Sequence, residues 1–250
     1  MDPEPPAGVD TSKPTVARMY DFYLGGTNNY PADRATVDDV TKGMPYVFKM
    51  AAESRSFLHR AIRFMCTRGI DQFIDLGAGV PCADNTHQVA QRVTPKAHVL
   101  YVDIDETAVA VGQKMWAGNE TTSFIHGSAL ELDAILSDPE TKKLFDLSKP
   151  VGVLMIGLVN FLDVDVSRDL FTSLGRSLAE GSVDVLRASY GRTNTPVITR
   201  STAELPPIFH GFRMVDPGLV LLHDWHMDMA EEGDENPPTT KAWYGVVLET

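Results

Sequence analysis

Apolar side chains at Leu58, Ala61, Ile62 and Met65 recur at i, i+3, i+4 and i+7, one face of a helix expected between Pro45 and Gly69. Gly69 reads as the residue that ends it. The helical pattern begins at Thr15, so residues 15–70 are expected to form a helical extension or lid. Residues 1–14 hold four prolines and several charges without apolar periodicity and read as a mobile tail. From residue 72 the style changes. Short apolar runs at 72–76, 98–103, 122–126, 150–157 and 182–189 predict strands, and helical patterns near 84–93, 105–117, 129–145 and 163–179 lie between or after them. That alternation predicts an α/β fold with a mostly parallel sheet covered on both faces. The run Val151–Ile156 does not alternate with polar residues, which suits a central strand. Further on, a helix is expected from about 196 to 209, strands at Phe212–Val215 and Lys241–Glu249, and a solvent loop over Met227–Pro238. With no helical pattern between them, the two late strands predict an antiparallel hairpin on the sheet edge. There is no internal repeat. Residues 71–250 are expected to form one domain.

Composition narrows the function. The 250 residues, 43% hydrophobic and 22% charged, suit one large core with a helical addition. Thirty-four acidic against 22 basic side chains give a net charge of −12, a field that repels phosphate backbones, so nucleic acid is not expected as a partner. Cys66 and Cys82 are too few for a disulfide framework or a cysteine zinc site, which points to a reducing cytoplasm. The N-terminus lacks the basic start and apolar run of a signal peptide, and the apolar stretch Val151–Val159 is far shorter than the ~20 residues that span a bilayer. No membrane association is expected.

The chemistry concentrates at Phe73-Ile74-Asp75-Leu76-Gly77-Ala78-Gly79, a strand that ends in a carboxylate and enters a glycine turn. Glycines at that point permit positive φ and let a ligand approach bare backbone at the carboxyl end of a strand. A following helix, capped by Asp84 or Asn85, supplies free amides. Tyr101-Val102-Asp103 is a second strand ending in an acid, suited to chelating ribose hydroxyls. Together they describe an adenosine site, although a glycine turn by itself is also compatible with no ligand. Dinucleotide folds carry a third glycine where this chain has Cys82, next to Pro81, so a nicotinamide or flavin oxidoreductase is the weaker reading. Asp75 instead suits a ligand with a cationic amino group, such as S-adenosylmethionine.

The resemblance is closer than that. Arg18-x-Tyr20-Asp21-Phe22-x-Leu24-Gly25-Gly26, the segment Arg55–Arg63, Gln72–Pro81 with Asn85 and His87, Tyr101–Asp103, and Gly211-Phe212 through Asp216–Val220 resemble the bacterial S-adenosyl methyltransferase family formerly classed as a domain of unknown function. The resemblance implies a Rossmann-like class I methyltransferase fold and S-adenosylmethionine as cofactor, held by Asp75, Gly77, Ala78, Gly79, Asp103, Ile104, Ser128, Ala129 and Gly157. Three positions depart from the family pattern. Ala78 replaces a threonine, Ser128 an adenine-binding aspartate, and Asn160 a histidine that would serve as a base.

Methyl transfer from a sulfonium is an in-line displacement in which positioning supplies much of the catalysis. For a hydroxyl acceptor, a carboxylate, tyrosine or histidine in reach would help. The candidates are Tyr20, Asp21, Tyr23, Tyr30, His126 and Asn160, of which Tyr20, Asp21, Tyr23 and Asn160 are the catalytic expectation; each tyrosine is equally compatible with core packing. Gly157-Leu158-Val159-Asn160-Phe161 stands where amino-methylases of DNA bases or protein glutamine carry Asp/Asn-Pro-Pro-Tyr/Phe. His223-Asp224-Trp225-His226 reads as an exposed loop cluster rather than a metal site. Arg55, Arg60, Arg63 and Arg68 read as a solvated face, as partners of the excess acids, or as binders of an anionic substrate. The expected activity is methyl transfer to a small molecule, without a metal. The rival is a non-catalytic S-adenosylmethionine or S-adenosylhomocysteine binder.

Overall fold

The computed structural model describes residues 4–82, 84–189, 203–209, 211–232, 234 and 243–250. Three helices come first: α1 (Val16–Tyr23), α2 (Pro31–Gly43) and α3 (Val47–Thr67). Gly69, at φ +85°, ends α3, with its N–H on the Cys66 carbonyl and the Ile70 N–H on that of Met65. Both orphan carbonyls are thereby satisfied. The sheet then alternates with helices: β1 (Gln72–Leu76), α4 (Thr86–Val93), β2 (His98–Asp103), α5 (Glu106–Met115), β3 (Thr122–His126), α6 (Leu132–Ser137), α7 (Pro139–Leu144), β4 (Gly152–Ile156), α8 (Val164–Ser177) and β5 (Val183–Ser189). The single helix expected over 129–145 is two, because Asp138 takes an extended ψ of 139° before Pro139 and caps α7 through the Glu140 N–H. A residue before proline is pushed out of the helical region.

Strands β3, β2, β1, β4 and β5 are parallel neighbours in that order. The late strands are β6 (Arg213–Met214), β7 (Val220–Leu221) and β8 (Trp243–Glu249), and all their pairings are antiparallel. The edge is more elaborate than a hairpin. β8 enters between β5 and β6, and β7 also pairs with it. Of the helix expected at 196–209, residues 196–202 lie outside the described residues and Pro206–Phe209 is a 3-10 turn.

The sheet is buried on both faces. Phe73, Val99, Tyr101 and Leu154 meet α3, α4 and α5 through Leu58, Ile62, Ala90 and Ala108. Ile74, Leu100, Val102 and Val153 meet α6, α7 and α8 through Leu132, Leu144, Leu170 and Phe171. Burial on both faces is what a parallel sheet in an α/β layer structure requires, and it directs all parallel strand ends to one edge.

Candidate functional site

At that carboxyl edge β1 turns sharply through Gly77 and Gly79, at φ +70° and +68°, values that only glycine takes without strain. The Gly77 and Ala78 N–H groups both donate to the Val102 carbonyl, at 2.9 and 3.2 Å, which ties the turn to β2. A Cβ on Gly77 would lie 3.3 Å from Leu158 Cδ1, whereas a Cβ on Gly79 would meet no atom within 4 Å. The turn therefore faces open space on the Gly79 side. Asp103, at the end of β2, is buried and oriented by two backbone donors: Gly79 N–H to Oδ2 at 2.7 Å and Asp105 N–H to Oδ1 at 2.8 Å. Burial raises its pKa, and these N–H bonds oppose the rise. Each carboxylate oxygen has a second lone-pair direction with which to accept from a hydroxyl.

The neighbouring strand ends complete the edge. Gly127 N–H donates to the Asp103 carbonyl at 3.1 Å, which brings Ser128 and Ala129 beside β2. Ser128 Oγ accepts from the Leu130 N–H at 3.2 Å and shapes that loop, while Ala129 is buried. Gly157, at φ +89°, leads from β4 into the 3-10 turn Leu158–Phe161, where Asn160 is buried. Two large aliphatic side chains at this edge face water, Ile104 at 67% exposure and Leu130 at 51%. Covering such surface is favourable by ~25 cal/mol per Å².

Asp75 is buried and accepts from Thr86 Oγ1 at 2.6 Å. Burial pushes its pKa up to about 6, opposed by the Thr86 bond and the positive charge of Arg55. Sequence reading missed Thr86. Its signal is a hydroxyl in the first turn of the helix that follows the glycine loop. Asn85, not Asp84, begins α4, with its N–H on Gln88 Oε1 at 2.8 Å and its side chain bound to both polar backbone groups of Cys82. Arg55 Nη2 donates to the Asp84 carbonyl at 2.7 Å.

The N-terminal helices are fastened to this edge. Arg18, fully buried, pairs with Asp33 at 2.9 Å and donates to Thr107 Oγ1 in the first turn of α5 at 3.4 Å, to the Asp10 carbonyl and to the Lys13 carbonyl. Asp33 in turn accepts from the Thr15 and Tyr30 N–H groups. Asp21 is buried and accepts from Asn29 Nδ2 at 2.9 Å, while its carbonyl accepts from the Gly26 N–H at 2.8 Å. Burial raises its pKa. Tyr20 Oη donates to the Ala51 carbonyl at 3.4 Å. Tyr23 lies edge-on to Phe48 at 5.5 Å, and burial pushes its hydroxyl up to about 12. Tyr30 is buried with Arg18 over its ring, and His126 is exposed.

Two readings need correction. Arg60 and Arg63 are not a solvated face: Arg60 donates to the Trp225 and Leu222 carbonyls at 2.8 and 2.6 Å, and Arg63 to the Met229 carbonyl at 2.6 Å, to Glu231 and to Asp234. Arg68 pairs with Glu249 at 3.0 Å. Nor is His223–His226 an exposed cluster. Trp225 is fully buried against Phe57 and Phe64, His223 meets Glu53 at 3.2 Å, and His226 meets the Asp216 carbonyl at 3.0 Å. Within the expected loop 227–238, Met227–Met229 is a 3-10 turn and Asp234 is buried; residues 233 and 235–238 lie outside the described residues. Among the described residues no group of three metal-ligating side chains converges. No helix among them is long and apolar enough to cross a membrane. Surface hollows of 370 and 270 Å³ lie against α8 and beside α5 and α7, away from the glycine turn.

A glycine turn on β1, an oriented acid on β2 and a seven-strand path with an antiparallel β8 inserted next to the edge define a Rossmann-like class I methyltransferase fold. The chain belongs to the S-adenosyl methyltransferase family, whose model matches residues 2–249, and S-adenosylmethionine is the cofactor of that family. A protein of Thermobifida fusca YX described as a candidate methyltransferase is 32% identical, with 98% of each chain covered and a TM-score of 0.88. A DUF574 family protein of Streptomyces avermitilis MA-4680 is 29% identical over 96% of this chain and 98% of its own, with a TM-score of 0.87. The magnesium protoporphyrin IX methyltransferase of Synechocystis PCC 6803, solved with bound S-adenosylmethionine, shares the fold at 11% identity, with 98% and 99% of the two chains covered and a TM-score of 0.54. No functionally curated protein matches the chain.

Proposed function

We propose that the protein transfers a methyl group from S-adenosylmethionine to a small-molecule acceptor at the carboxyl edge of the sheet. The observation that carries this reading is the Gly79–Asp103 contact beside the two water-facing aliphatic side chains, Ile104 and Leu130. The residues present fit the cofactor. The open side of Gly79 admits a ligand against bare backbone, Asp103 accepts from ribose hydroxyls, and Ile104 with Leu130 and Ala129 covers the adenine faces. Gly77, Ala78 and Gly157 would shape the floor, and the Ser128 hydroxyl, which accepts from the Leu130 N–H, would meet the adenine edge. S-adenosylmethionine supplies, when bound, a methyl group on a sulfonium centre that a nucleophile can displace.

In this reading the chain's own residues position the acceptor and exclude water. The helical extension 15–70 covers the acceptor, with Arg18 holding α1 to α5. Tyr20 and Tyr23 would offer aromatic faces to a cationic centre, and Asn160 would supply an amide. Asp21 acts by holding the Gly26–Asn29 turn in shape. The net charge of −12 supports a small acceptor over a nucleic acid, in a protein with free cysteines suited to a reducing cytoplasm. The test has two parts: calorimetric titration with S-adenosylhomocysteine, then mass spectrometry for products 14 Da heavier when enzyme and cofactor meet a metabolite panel, 14 Da being about the mass of one added CH₂. No binding ends the methyltransferase reading. Binding without any product supports the alternative, a non-catalytic cofactor binder.

A further inference from the structure

Arg55 is the arginine of α3 that reaches the chain after the glycine turn. It lies on α3 one turn after Ala51, whose carbonyl accepts from Tyr20 Oη, and its Nη2 donates to the Asp84 carbonyl at 2.7 Å. Asp75 reaches the same stretch of chain through Thr86 Oγ1 at 2.6 Å. A cationic fork and a carboxylate are thus anchored two residues apart on the chain that follows the glycine turn, at the end of β1. Each influences the charge of the other, and the positive charge of Arg55 also acts on Cys82. The guanidinium carries five N–H donors in a plane matched to a carboxylate, and the bond to Asp84 fixes that plane.

We propose that Arg55 is the carboxylate-binding half of a clamp for an α-amino-acid zwitterion, with Asp75 as the ammonium-binding half, so that the helical extension supplies a direct contact to the amino-acid end of S-adenosylmethionine. This rests on the cofactor reading above. Burial disfavours the Asp75 carboxylate despite its Thr86 hydrogen bond, and a neighbouring ammonium would offset that cost. Placed beside it, an arginine prevents the cofactor's own carboxylate from meeting only negative charge. The clamp makes cofactor affinity depend on α3, outside the sheet, and couples the fold of the extension to occupancy of the site.

Calorimetry on the full-length chain with three adenosine compounds separates the possibilities. S-adenosylhomocysteine carries both amino-acid charges, decarboxylated S-adenosylmethionine only the ammonium, and 5′-methylthioadenosine neither. Arg55→Gln is expected to weaken S-adenosylhomocysteine at least tenfold and to change the other two less than threefold. Arg55→Lys keeps the charge without the fork and should fall between wild type and Arg55→Gln. Asp75→Asn should weaken S-adenosylhomocysteine and decarboxylated S-adenosylmethionine but spare 5′-methylthioadenosine. Thermal unfolding confirms that each variant is folded, and if Arg55→Gln is not, Arg55→Lys decides by the same contrast between compounds. Equal loss for all three compounds would mean that Arg55 only braces the loop at Asp84, and no loss for any would remove it from the site; either result overturns the clamp. A wild-type chain that binds none of the three removes the cofactor reading itself, a result distinct from both.

Discussion

Replacing Asp103 tests the adenosine site at its most constrained point. Its two oxygens are each fixed by a backbone N–H, at 2.7 and 2.8 Å, so the carboxylate is already oriented before a ligand arrives. Hydrogen bonds to a charged group contribute about 1.5–3 kcal/mol each, so losing one or two ribose contacts should weaken cofactor binding by about 2–4 kcal/mol, roughly 30- to 1000-fold. Asp103→Ala also leaves the Gly79 and Asp105 donors without their acceptor, so part of the loss will come from a loosened turn. Asp103→Asn separates the two effects. Its amide oxygen can keep one backbone donor, but its NH₂ faces the other, and the negative charge is gone. Calorimetry with S-adenosylhomocysteine on both variants, beside thermal unfolding without ligand, is the assay. Asp103→Asn should lose at least tenfold in affinity with a small change in unfolding temperature. Affinity within threefold of wild type for both folded variants would refute the placement of the ribose at Asp103.

Other predictions concern the architecture around the site. Arg18→Ala leaves Asp33 fully buried without its ion pair, which should cost about 3–5 kcal/mol in urea unfolding; a cost below about 1 kcal/mol would show the pair to be dispensable. Gly26→Ala places a Cβ against the Asp21 carboxylate and should destabilise by about 1–3 kcal/mol, whereas Gly25→Ala meets no atom and pays only for its φ of +77°. Equal effects at the two glycines would argue against that turn geometry. Asp184 is buried, with no hydrogen-bond partner for either oxygen among the described residues, and burial pushes its pKa up to about 8 from 3.8. Because the folded value is the higher one, its contribution is complete below pH 3.8 and is lost as pH rises toward 8, by about 1.4 kcal/mol per pH unit. Between pH 5 and pH 8 the stability of Asp184→Asn should therefore move about 4 kcal/mol in its favour relative to wild type, and parallel curves would disprove the burial of a protonated carboxyl.

The sheet was legible where local pattern and burial agree. Val151–Ile156 reads as central because both its faces are apolar, and β4 lies between β1 and β5. The glycine turn and Asp103 were legible because their chemistry is carried by contiguous residues. What the pattern could not show is non-local pairing. The insertion of β8 between β5 and β6 depends on contacts with strands more than thirty residues earlier in the chain, such as Val183 with Glu249 and Arg213 with Glu249. Of the readings open for the α3 arginines, pairing with acids holds for Arg63 and Arg68, but helical spacing could not show that the carbonyls of Leu222, Trp225 and Met229 cover Arg60 and Arg63.

The N-terminal motif is best understood through the same contrast between local and distant demands. Arg18, Asp21 and Gly26 lie within nine residues, yet they answer to different constraints. Arg18 reaches Asp33 and Thr107, joining α1 to α2 and α5; the Asp21 carbonyl takes the Gly26 N–H, and its carboxylate takes Asn29. Gly26 can be nothing larger, because the Asp21 carboxylate fills the space a Cβ would need. Asp21 itself is buried, with Oδ2 accepting from Asn29 and Oδ1 without a hydrogen-bond partner among the described residues. The economical explanation of the motif is geometric. Asp21 and Gly26 shape the turn after α1, Arg18 sets where α1 meets α5, and Tyr20 consequently stands at Ala51, one helical turn from Arg55. These contacts set how α1 and α3 lie against the carboxyl edge.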